Sequence, residues 1–99
     1  MAATNTTIDL NTGDWQQLTT ADVSAARVQN VGAYELFIQA TAGTTPPTSS
    51  TGALTYLPGQ GFDASSTLAN LFPGVTGANR LWAKCTAQPL SGRASVSHA

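Results

Sequence analysis

The chain has 99 residues, a net charge of -1 and four basic side chains, and only 9% of its residues are charged, against roughly 25% in an ordinary soluble domain. That length holds one hydrophobic core, and so few cations cannot build a phosphate-binding surface, which argues against a nucleic-acid partner. No apolar run reaches the ~18 residues that cross a bilayer as a helix, which argues against a membrane-embedded chain.

Taken in chain order, Ile8 and Leu10 alternate with polar residues over 6–10, and Asn11 to Asp14 break the pattern, which predicts a short strand and a turn. Trp15 to Leu18 reads as a second short strand. The Ala-rich stretch from Ser24 to Gln29 has some helical character, with Thr20 as a possible cap. Period 2 nevertheless pairs Ala26 with Val28, and a strand is the preferred reading. Asn30-Val31-Gly32-Ala33 resembles a hairpin connection. In 34–40, Leu36, Ile38 and Ala40 share one face while Glu35 and Gln39 point away, the mark of a half-buried strand.

Residues 41–52 have no apolar periodicity and contain adjacent prolines, so they form a long Thr/Pro/Gly loop. Ala53 to Leu57 reads as a strand stopped by Pro58-Gly59, and 60–63 as a short edge strand. Ser65 or Ser66 is placed to cap one helical turn over 67–72. Leu81, Ala83 and Cys85 alternate with Arg80, Trp82 and Lys84 in a well-patterned strand. After a turn at 88–92, Ala94 and Val96 alternate with Arg93, Ser95 and Ser97 in the last one.

The predicted fold is a single all-β domain over 1–99. Its architecture is a small antiparallel β-sandwich or jelly-roll-like barrel of about six to eight short strands, with at most one short helical turn. Leu36, Ile38, Leu81, Ala83, Val28 and Val96 are the expected core. Residues 1–7 are read as a flexible N-terminal arm or frayed end.

No motif points to catalysis. Gly59-Gln60-Gly61-Phe62-Asp63-Ala64 has the spacing of a dinucleotide fingerprint but no room for the long helix such a site requires. His98, the one histidine, is expected at a frayed strand end. Cys85, the one cysteine, lies on an apolar strand face as a small hydrophobe. Asp9, Asp14, Asp22, Glu35 and Asp63 are scattered singly, and Asn5-Thr6-Thr7 is an incidental sequon. The expectation is a non-enzyme with no cofactor and no metal. The start of the chain has neither a basic nor an apolar leader region, so synthesis inside the cell is expected.

The aromatic residues stand out against so little charge. Phe37, Trp82, Trp15, Tyr34 and Phe72 are the candidate subunit-interface residues. Phe37 and Trp82 point outward by their periodicity, so either a second sheet covers them or another chain does.

The order of Trp15, Val28-Gln29-Asn30-Val31-Gly32, Glu35 to Gln39, the Thr/Pro loop, Leu57-Pro58-Gly59-Gln60, Leu81-Trp82-Ala83-Lys84 and Arg93 to Ser97 resembles small β-sandwich virion proteins of tailed bacteriophages. That group includes head-decoration (cement) proteins and head-fibre or tail accessory proteins. The resemblance implies a virion-located structural protein, most readily a capsid decoration subunit. Its partners would be the major capsid protein or other virion proteins and its own copies, with a homotrimer favoured. The alternatives are a tail or head-fibre component, or a carbohydrate- or cell-surface-binding module in which exposed tryptophans stack on sugar rings.

Overall fold

The computed structural model describes residues 3–85 and 92–98. They form eight strands and one helical turn: β1 (Thr4–Leu10), β2 (Gln16–Gln17), β3 (Arg27–Asn30), β4 (Leu36–Thr41), β5 (Leu54–Tyr56), β6 (Gly61–Phe62), α1 (Leu68–Leu71), β7 (Arg80–Lys84) and β8 (Gly92–His98). Of the turn predicted at 88–92, residues 88–91 lie outside the described residues, and Gly92 opens β8.

The strands divide into two antiparallel four-stranded sheets, with orders β1-β8-β3-β6 and β2-β7-β4-β5. The pairs β1–β8, β2–β7, β3–β6 and β4–β5 are nested one inside the next. This is a long antiparallel hairpin rolled up on itself, the jelly-roll arrangement. Because β3 and β4 belong to different sheets, residues 31–35 are not the hairpin connection their composition suggests. They are a crossing from one layer to the other.

Alternation decides what lies between the layers. Val28, Ala94 and Val96 face inward from one sheet, and Leu36, Ile38, Ala40, Leu81 and Ala83 from the other; all are buried. Every residue expected in the core is there. Burial of each Leu, Ile or Val side chain contributes about 1.5–3 kcal/mol. Leu10 of β1 joins them, and Leu18, Val23, Ala26, Leu68, Phe72 and Cys85 add to the core from the connections and α1.

Three local expectations change. The N-terminal segment is not a free arm from Thr4 onward, since β1 pairs with β8 along its whole length, from Thr4↔His98 to Leu10↔Gly92. The cap of α1 is Thr67 rather than Ser65 or Ser66, and its hydroxyl accepts from the Asn70 amide at 3.1 Å. His98 is buried, not frayed, and its Nε2 accepts the Thr20 backbone N–H at 3.3 Å.

Candidate interface

The outer face of the β2-β7-β4-β5 sheet carries most of the candidate interface residues. Phe37 lies opposite Lys84, and Trp82 lies between Gln17 of β2 and Gln39 of β4. The Lys84 ammonium sits 4.7 Å from the centre of the Trp15 ring, within the range of a cation–π contact. Phe37, Lys84, Trp15 and Trp82 thus form one strip across the sheet. Phe37 and Trp15 are half-buried.

Trp82 faces outward as its periodicity requires, yet it is only 5% exposed. Its indole N–H donates to Thr41 Oγ1 at 2.7 Å. That hydroxyl donates onward to the Gly43 carbonyl at 2.9 Å, while the Gln39 amide donates to the Thr51 carbonyl at 2.8 Å. The two ends of the 41–52 loop are therefore pinned to this face. Trp82 is covered by its own chain and is not a free contact surface.

Phe72 is also withdrawn from the candidate surface. It is 5% exposed and belongs to the core cluster beside α1. Tyr34 is half-buried at the layer crossing, away from the strip, and packs partly against the core. Of the five candidates, the structure brings together Phe37, Trp82 and Trp15, and leaves Phe37 and Trp15 with accessible surface.

An open groove of about 510 Å³ runs between the 41–52 loop and the segment after α1, and Gln39, Thr41, Pro47, Thr48, Thr51 and Val75 are among its walls. Its lining is hydroxyls, amides, aliphatic carbons and Phe72, with no ionised group. Such a wall can donate and accept hydrogen bonds through its threonine and serine hydroxyls.

The cations are held within the chain. Arg80 pairs with Asp22 at 2.8 Å, and Arg93 with Asp9 at 3.1 Å. Arg27 donates to Ser95 Oγ at 3.2 Å, and Lys84 rests on Trp15 as described. Asp63 accepts from both the amide and the hydroxyl of Ser65, which lowers its carboxyl below the usual range. Among the described residues, no three His, Cys, Asp or Glu side chains gather where they would hold a metal ion. The glycine fingerprint falls on edge strand β6, and the helix after it has four residues. No helix of the described residues is long and apolar enough to cross a membrane.

The glutamine and threonine partners of Trp82 were not singled out by sequence reasoning. Only the outward alternation of Gln39 hinted at them. No protein-family model, curated protein or solved structure matches the chain.

Proposed function

We propose that the chain is a non-enzymatic structural subunit of a phage virion, a capsid decoration or cement protein that strengthens a shell by contacts with coat subunits and with its own copies. The observation that carries this reading is the surface: a jelly roll with 9% charged residues whose cations are engaged within the chain, so that hydroxyls and amides, beside the exposed carboxylates of Asp14, Glu35 and Asp63, are what it offers to neighbours. Contacts of that kind form with little desolvation of charge. The resemblance to small β-sandwich virion proteins points the same way, while the fold alone carries no function.

A sugar-binding module draws less support, because Trp82 is buried and the Trp15 ring carries the Lys84 ammonium, so the two tryptophans offer no open face for stacking. Tail or head-fibre placement is the alternative within the structural class.

Co-sedimentation tests the proposal. Shells assembled from the coat protein of the genome that carries this sequence should bind the purified protein saturably, at a fixed number of copies per shell, and become more resistant to heat. Shells that neither bind it nor gain heat resistance would overturn the cement reading. Binding to purified tails instead would move the protein to that site.

A further inference from the structure

Four strands lie at sheet edges: β1 and β6 in one sheet, β2 and β5 in the other. β2 and β6 have two residues each and β5 has three, whereas β1 has seven. Short edges protect themselves; long ones are usually blunted by Lys, Pro or a bulge. β1 reads Thr-Asn-Thr-Thr-Ile-Asp-Leu and pairs with β8 without a register break. It has no Lys and no Pro.

The direction of its backbone groups follows from the neighbouring ladder. The Val31 amide donates to the Arg93 carbonyl at 3.1 Å, so Arg93 turns its backbone toward β3. Hydrogen-bonding direction alternates along a strand. Gly92, Ala94, Val96 and His98 therefore face β1, where they meet Leu10, Ile8, Thr6 and Thr4. That leaves the N–H and C=O groups of Asn5, Thr7 and Asp9 pointing off the sheet, and all three residues are exposed. Among the described residues, no backbone group bonds to this edge.

We infer that this edge pairs with β1 of a second copy, antiparallel, about a two-fold axis at Thr7. In that register Thr7 faces Thr7 of the other copy, and Asn5 faces Asp9 on each side of the axis. All the outward groups find partners, and the sheet becomes continuous over eight strands. The register is self-complementary. The Asn5 amide meets the Asp9 carboxylate, which is already held by Arg93. Sliding the axis to Asp9 would set two carboxylates directly opposite one another, which is unfavourable. A two-fold contact of one patch with itself closes at two copies. The inference stands independently of the virion reading.

Three variants test it, all at exposed positions whose backbone faces away from β8. With Cys85 buried, a Thr7→Cys protein should form an intermolecular disulfide rapidly under mild oxidation, because directly paired Cα atoms lie about 5.5 Å apart. Asn5→Cys should not, since its copies would be offset by roughly 13 Å along the strands. Thr7→Lys puts two ammonium groups face to face. It should raise the dimer dissociation constant seen by light scattering roughly five- to tenfold while leaving the unfolding midpoint of the monomer unchanged. A monomer up to the solubility limit, a trimer, equal cross-linking of Thr7→Cys and Asn5→Cys, or a dimer indifferent to Thr7→Lys would each overturn the inference.

Discussion

Asn30 and Tyr34 are joined by a 2.7 Å hydrogen bond from the asparagine amide to the tyrosine carbonyl, where the chain leaves one sheet for the other. The same amide donates to the Tyr56 carbonyl at 3.0 Å, and Asn30 Oδ1 accepts the Gly32 N–H at 3.0 Å. Asn30 is 1% exposed, so one buried side chain ties together the end of β3, the crossing and the end of β5.

Asn30→Leu keeps the branched shape of the side chain and removes all three of its bonds to the backbone. The expected loss is about 2–4 kcal/mol of folding stability, read from urea unfolding. A loss below about 0.5 kcal/mol would show that water replaces the amide freely.

Trp82→Ala is expected to weaken the fold itself, by about 3–5 kcal/mol, because the ring is buried under its own loop. Trp82→Phe keeps most of the volume and should cost about 1 kcal/mol for the lost bond to Thr41. Phe37→Ala, at a half-buried position, should cost less than Trp82→Ala. Denaturant midpoints of the three variants, measured at a concentration where the protein is monomeric, would check the ranking.

Gly61 sits opposite Gln29 in the β3–β6 ladder. A Cβ there would run into the Val28 carbonyl oxygen and lie 2.7 Å from Gln29 Cα. Gly61→Ala should therefore push β6 off the sheet. Hydrogen exchange should then accelerate at the Asn30 amide, which donates to the Gln60 carbonyl, while the β4–β7 ladder keeps its protection.

Gln16 lies on the inner side of β2 opposite Ala83, and its Oε1 is buried with no hydrogen-bond partner among the described residues. Gln16→Met removes that unpaired acceptor and retains the length of the side chain. The expected outcome is a gain of about 1 kcal/mol, visible as a higher unfolding midpoint. A loss of stability would mean that the amide end contributes more than the oxygen costs.

Burial raises the phenol of Tyr56 above its ordinary 10.0. The unfolded chain therefore releases this proton first as the pH climbs. The contribution of Tyr56 is fully present below pH 10, and stability should decline as the pH rises through and beyond that value. In Tyr56→Phe the decline should be shallower, measured by unfolding midpoints between pH 8 and 11.

The inward-facing pattern was legible in the sequence wherever alternation ran for five residues or more. Leu36, Ile38 and Ala40, then Leu81, Ala83 and Cys85, then Ala94 and Val96 were all readable, and each sits where its period puts it. Periodicity names a side of a strand, however, and not what lies over it. Trp82 points outward and is still buried, because its cover comes from Thr41 and from a loop without periodicity of its own. The turn residues after β3 read as a hairpin because a tight reversal and a layer crossing use the same short polar residues. What separates them here is Asn30 bonding across to Tyr56, a contact between residues 26 positions apart. The importance of β1 was equally hidden, since nothing in a strand's own residues says which neighbour it will lack.

The nested pairing also sets the order of events in biosynthesis. β8 lies between β1 and β3, and Thr4 takes His98 as its strand partner. A ribosome must therefore translate β8, residues 92–98, before the first strand can pair along its length. Until then the seven residues of β1 remain an unpaired ribbon, able to join any other exposed strand nearby. Contacts this distant along the chain also fold slowly, in milliseconds to seconds. Crowded synthesis should thus favour wrongly paired chains, and C-terminal truncations should accumulate as aggregates rather than as smaller folded domains.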